Sequence, residues 1–550
     1  MKRLEFIILF ILIAACKQHP EADQVVFGKT WTASDKSAWA EGFAITGDSI
    51  VAVGTKSEIE EWIGANTKVT EASPENLIVP GFIDCHTHFM EGGFALASVQ
   101  LRDAKTPDEF INRIKEFAAS QPHGSWITNG DWDHENWGGE LPTRDWIDSV
   151  TQNNPVWINR LDGHMSLANT AALKLAGVDN TIKNVMGGTI VRDKRGRITG
   201  VFKDNAMSLV NRALPDPTAD QKDKALQAAM NFVAERGVTS IHNMSGYEDV
   251  FARARSNNVL KTRIYSGAAL NEWKRVATKV SAHGRGDKWL RWGGLKEFVD
   301  GSLGSHTAAF FKPFDDTPAD SGFFITPEHE LYRRIKSADS AGLQVMTHAI
   351  GDKAIHTLLN IYERVAKENG DRDRRFRIEH AQHIAPDDIR RFSELQVIAS
   401  MQPYHAIDDG RWAEKVIGKE RSKTTYAFRS LINAQAILAF GSDWFVAPPT
   451  PLEGIYAAFT RQTLDGKNPE GWVPEQKISV EEALKSYTLR AAYASFEENI
   501  KGSIEAGKLA DFVILHRDIT SIDPVGIRDV RVVKTVVGGE VVYSNEKSAD

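Results

Sequence analysis

Apolar residues fall into two rhythms along the chain. From Val25 to Val79 they come in short alternating runs broken by turns, among them Val25-Val26-Phe27, Gly42-Phe43-Ala44-Ile45 and Ser49-Ile50-Val51-Ala52-Val53-Gly54. Alternation at period two marks strands with one buried face, and a Gly-Asp turn joins the last two runs. The same pattern returns at the far end, in Leu509 to Leu515, Val532 to Val537 and Glu540 to Tyr543. Between these ends, strand-like runs alternate with helical spacing. The predicted strands are Thr239–His242, Thr262–Tyr265, Leu295–Val299, Leu343–Thr347, Phe376–Ile378, Val397–Met401 and Ile437–Phe440. A further run, ahead of His86, makes eight. Ala225 to Arg236 and Ala354 to Asn369 are among the helical stretches between them.

Eight strands each followed by a helix predict an α/β protein, a (β/α)8 TIM-like barrel. The β-rich ends predict a small composite β-sandwich built from 25–79 and 501–545, around a barrel spanning 80–500. An interval at about 100–235 interrupts the alternation. It reads as helices and loops with one hairpin, Gly188–Val191 to Ile198–Phe202, and is rich in tryptophan.

At 550 residues the chain is long enough for a large core, and 42% hydrophobic with 25% charged residues is ordinary globular composition. The net charge of -7 offers no basic footprint for nucleic acid. Lys2 and Arg3 precede an apolar run from Phe6 to Ala15, too short to span a bilayer, which takes about 20 residues as a helix. Basic start, short apolar stretch and small residues describe a signal peptide over 1–15. It resembles the bacterial lipoprotein signal, which implies lipidation of Cys16, a tether over 16–24 and an exported, envelope-anchored protein. Lys17 resembles the pattern sent to an outer membrane. Cys85, the second of two cysteines, then has no disulfide partner, and strand alternation points it into the core.

Candidate chemistry gathers at the C-terminal ends of the barrel strands, where such barrels keep their sites. His86 and His88 share one face of the first strand, since side chains two apart on a strand point the same way. Lys296 lies on the fourth strand, His348 follows the fifth, His380 the sixth, and Asp443 the eighth. Imidazoles and carboxylates in that number suit a divalent metal.

Four segments stand out: Pro80-Gly81-Phe82-Ile83-Asp84-Cys85-His86-Thr87-His88, Asp300-Gly301-Ser302-Leu303-Gly304-Ser305, Glu379-His380-Ala381-Gln382 and Gly441-Ser442-Asp443. Together they resemble the amidohydrolase superfamily and, more closely, amidohydrolase family 3, the YtcJ-like group that includes N-substituted formamide deformylases. The resemblance implies that His86, His88 and Asp443 hold one metal, and His348 and His380 a second. It implies that Lys296 is carboxylated to bridge them, that the metal is zinc, one or two per chain, and that Asp443 carries the proton. The expected reaction is hydrolysis of a small-molecule amide. His306 stands where this group carries arginine. The expected substrate contacts are Trp132, Asp162, His164, Asp204, His306 and Tyr404, with Asp133, His134, Lys203 and His405 as further candidates. Two alternatives stay open: a one-metal deaminase of a cyclic amidine or nucleobase, and a lipid-anchored binding protein without catalysis.

Overall fold

The computed structural model describes residues 21–545; the expected signal peptide and Cys16 lie outside them. Eight parallel strands, each hydrogen-bonded to the next, run in sequence order: Phe82–Thr87, Val238–Asn243, Arg263–Ala269, Leu290–Phe298, Gln344–Ala349, Arg377–His380, Ile398–Met401 and Leu438–Phe440. All eight match the sequence expectation to within a few residues. The first and eighth meet past the strand ends, where Asp443 N–H donates to the His86 carbonyl at 2.8 Å and Thr87 bridges to Trp444.

Strands inside a barrel are covered on both faces, so they read as continuous apolar runs; Val238–Asn243 and Gln344–Ala349 are buried throughout. The intervening helices are one-sided. Asp352–Asn369 buries Ile355, Leu358, Leu359, Tyr362 and Val365, a stripe at helical spacing, and ends at Gly370. Ala219–Ala234 begins with a capping box, Thr218 and Gln221 satisfying each other's backbone N–H groups.

The β-rich ends do combine. Gln24–Trp31, Trp39–Thr46, Ser49–Gly54, Lys68–Glu71 and Leu77–Pro80 share one sheet with Phe512–Leu515, Val532–Val537 and Glu540–Ser544. This single sheet curls over. Phe43 and Phe512, three strand positions apart, meet edge to face with centroids 5.1 Å apart, and Ala510 N–H donates to the Asp48 carbonyl. Its two halves therefore pack as a sandwich does. The apolar stretch before His86 is two strands, not one. Leu77–Pro80 belongs to the curled sheet, and after Gly81 the chain enters the barrel at Phe82. The Arg263 guanidinium, on the third barrel strand, grips the Asp511 carboxylate with 2.7 and 2.8 Å bonds and locks the sheet to the barrel floor.

The interval after the first barrel strand departs from the expectation of helices and loops. It carries a five-stranded sheet: Ile127–Thr128, Val156–Asn159, Met165–Ala168, Ile198–Asp204 and Gly188–Arg192, with its own apolar core. Lys203 ties this lobe over the barrel mouth by donating to the Ser305 carbonyl at 2.8 Å.

Candidate metal centre

The first strand delivers two imidazoles with their outer nitrogens aimed the same way. His86 Nδ1 is hydrogen-bonded to Glu379 Oε2 at 2.6 Å, and His88 Nδ1 to Ser245 Oγ at 2.7 Å. Both rings therefore present Nε2 to a common point, where Asp443 Oδ1 lies 3.3 Å from His86 and 3.4 Å from His88. Asp443 reaches that point because Gly441 lets the eighth strand press on the first: a Cβ there would stand 2.5 Å from the His86 nitrogen. Asp84 reinforces the join by accepting the N–H groups of His86 and Ser442.

Two trios have ligand atoms close enough together for one ion each: His86, His88 and Asp443, and His380, His405 and Asp443. Asp443 Oδ1, His380 Nδ1 and His405 Nε2 are buried and lack a hydrogen-bond partner of acceptable geometry. Buried polar atoms left unpaired cost about 1–3 kcal/mol each, and three converging on one cavity fit a cation. Burial pushes His380 and His405 below the usual imidazole range, leaving them neutral and able to coordinate. Burial alone would raise the Asp443 carboxyl, but the surrounding histidines outweigh it and hold it well below the usual carboxylate range.

Lys296 Nζ lies 3.3 Å from His86 Nε2, and burial pulls its ammonium down to about 8. His348 packs against His380 with ring centroids 4.5 Å apart, yet its Nε2 donates to the Gly301 carbonyl at 3.0 Å, and it belongs to neither trio. His405, expected only as a substrate contact, joins His380 instead.

The expected substrate contacts divide. Asp162, His164 and Asp204 line the cavity. His164 Nδ1 is bonded to Asp204 Oδ1 at 2.6 Å; burial opposes its charge, but Asp204 outweighs burial and raises its pKa. Asp162, held by Arg160, Ser302 and Ser305, is a strut as well as a wall. Three expected contacts are placed elsewhere. Trp132 is fully buried in the core of the overlying lobe, its indole N–H donating to the Ile158 carbonyl at 3.0 Å. His306 turns away to pair with Asp316 at 3.0 Å and to pack on Phe314. Tyr404 packs against the barrel's apolar core and is not on the cavity wall. Of the further candidates, Asp133 and His134 are buried against Arg160 rather than facing the cavity.

Glu379 carries a role that the sequence did not disclose. Its Oε2 accepts from His86, from Ser400 Oγ at 2.6 Å and from Arg377 at 3.1 Å, so one carboxylate oxygen orients a ligand ring from the barrel interior.

An amidohydrolase family model matches residues 75–543. The chain is 40% identical to Protein LONG AFTER FAR-RED 3 of Arabidopsis thaliana, over 95% of this chain and 92% of that one. It is 27% identical to an N-substituted formamide deformylase of Arthrobacter pascens, over 94% of this chain and 97% of that enzyme. Among solved structures, an uncharacterized metal-dependent hydrolase from Pyrococcus horikoshii OT3 aligns with a TM-score of 0.73 at 27% identity, covering 91% of this chain and 99% of the other.

Proposed function

We propose, from the premise that this chain belongs to the amidohydrolase family, that it hydrolyses a non-peptide carbon–nitrogen bond of the amide or formamide type. That it is a metal-dependent hydrolase follows from the family and the structural likeness; the bond class is our reading. The observation that carries it is Asp443. It belongs to both ligand trios and its Oδ1 is buried and unpaired, which suits a group that both holds an ion and handles a proton.

His86, His88 and Asp443 would hold one divalent metal, and His380 and His405 would share Asp443 with a second. Imidazole and carboxylate donors suit zinc. Such an ion supplies Lewis acidity, polarising a carbonyl and making water a stronger acid. The chain's own residues do the rest. Asp443, ionised and facing the cavity, takes the proton of the attacking water. It returns that proton to the leaving nitrogen, which needs it as the carbon–nitrogen bond breaks. Glu379 and Ser245 keep the two imidazoles turned with Nε2 outward. Lys296, with its charged form disfavoured by burial, is available as the free amine that adds carbon dioxide, giving a carbamate and a proton. We propose that modified form as the bridge between the two ions.

The test is a screen of the zinc-loaded protein against N-formyl, N-acyl and cyclic amides, reading release of amine. Absence of release from every class, at full metal loading, would overturn the reading. We further propose an envelope lipoprotein anchored through Cys16. A single acyl chain anchors only marginally, so firm attachment calls for a multiply acylated cysteine. Cys16→Ser should move the protein from the membrane to the soluble fraction, and equal membrane binding would count against the anchor.

A further inference from the structure

The cavity over the candidate metal centre has two chambers that share Asp162, His164, His348, His380 and Asp443. One, roughly 310 Å³, has Met207, Phe298, Ile325 and Phe445 in its wall. The other, roughly 50 Å³, has His405, Gln382, Asp409 and Trp412 in its wall. A single water takes about 10–15 Å³ on this measure, so the first chamber holds far more than a formyl group and the second has room for a small polar head.

The Arg160 guanidinium on the second chamber's wall is already spent. Arg160 gives its Nε to His134 at 3.2 Å and its two terminal nitrogens to Asp162 and Asp133 at 2.8 and 2.9 Å. Two acceptors are not spent. Asp409 Oδ2 takes the Tyr426 hydroxyl at 2.5 Å and the Gln382 amide at 2.9 Å, while its Oδ1 has no hydrogen bond among the described residues. Gln382 is only 3% exposed. A carboxylate accepts but cannot donate, so Asp409 fixes which end of the amide is nitrogen and leaves Gln382 Oε1 without a partner on the chamber wall. The Trp412 ring completes the same wall.

We propose that this chamber is a subsite for an ammonium-bearing arm of the substrate, received by Asp409 and Gln382 beside the Trp412 ring. The other arm, uncharged and apolar, lies across the scissile bond in the larger chamber. The assignment rests on the reading of the chain as a carbon–nitrogen hydrolase and names its substrate class. Two unspent acceptors match the donors of an ammonium, which has no acceptor to offer, and an indole face attracts a cation. Burial above all, with the charge of Asp408, pushes the Asp409 carboxyl up to about 7. A bound cation offsets that penalty and returns the group to its ionised form.

The experiment compares N-(aminoalkyl)benzamide and aminoalkanoyl benzylamide with their uncharged alkyl counterparts, in wild type and Asp409→Asn. The amine should be preferred in at least one of the two pairs by about tenfold or more in kcat/KM, the scale of one hydrogen bond to a charged group. In Asp409→Asn the ratio should fall towards one. A ratio measured within one protein does not depend on the folded fraction, so a poorly folding variant still answers. Equal use of charged and uncharged compounds by wild type, or a preference that survives Asp409→Asn, would overturn the subsite. If none of the four is hydrolysed, they are not turnover substrates and calorimetry decides the subsite separately. Tighter binding of the ammonium compounds that is lost in Asp409→Asn supports it, and equal binding refutes it. The amide screen above remains the test of the hydrolase reading.

Discussion

Replacing Glu379 by glutamine tests the core of the metal-site argument, because it preserves shape and removes charge. The carboxylate is fully buried. Its Oε2 accepts three hydrogen bonds, from His86, Ser400 and Arg377, and its Oε1 lies 2.7 Å from Arg377 Nε, an ion-pair contact without hydrogen-bond alignment. Burial opposes the charge, but Arg377, with His86, outweighs burial and holds Glu379 down to about 2. An amide in its place keeps one acceptor oxygen and turns an NH2 towards donors. Arg377, itself without exposure, then loses its counter-ion. Breaking a buried ion pair from one side costs on the order of 3–5 kcal/mol. Losing the partner that orients a metal-binding histidine weakens metal affinity by roughly 10–100-fold. Two assays read these separately: denaturant unfolding of the metal-free protein, and metal affinity by competition with a chelator. Glu379→Gln is expected to fail in both. A variant with unchanged unfolding midpoint and metal affinity within about twofold of wild type would show that His86 does not depend on Glu379, and the reasoning would fall.

Lys296→Ala is expected to lower metal content from about two per chain to about one, with turnover partly restored by added short carboxylic acids; unchanged content and activity would refute the bridge. Asp443→Asn should lose roughly 10²–10⁴-fold in turnover with no recovery from added acid, measured by steady-state kinetics at saturating metal. In the metal-free protein, burial lowers Lys296 from 10.5 to about 8. Between those values the unfolded lysine keeps a proton that the folded one has lost, so stability should rise with pH across the window, by ~3 kcal/mol in all. Lys296→Met should lack that rise in urea unfolding series run from pH 7.5 to 10.5.

The barrel was legible because buried parallel strands are apolar on both faces and their helices are not, a contrast that a single sequence carries. His86, His88 and Asp443 were legible for the same reason: each sits at a strand end, and strand ends share one rim. His405 was not, since it lies on the helix Pro403–Asp409, where nothing local says which way the ring turns. Trp132 misled because a tryptophan in a polar loop sequence reads the same whether it packs or binds. The sheet over the barrel mouth escaped notice because its strands are short, Ile127–Thr128 having only two residues. The split between Leu77–Pro80 and Phe82–Thr87 was hidden because both halves are buried, and only the change of sheet at Gly81 separates them.

The curled sheet also sets a timetable for synthesis. Leu77–Pro80 is buried along its whole length, and its partner strand Phe512–Leu515 is more than four hundred residues downstream. Until that partner leaves the ribosome, a fully apolar strand waits with an unpaired edge, the kind of surface that recruits other chains. The barrel, with each strand beside the next in sequence, can assemble meanwhile. A nascent chain that stops short of Phe512 would therefore carry a sticky edge beside a largely formed barrel, so completion of the last strands is what makes the whole molecule safe to release.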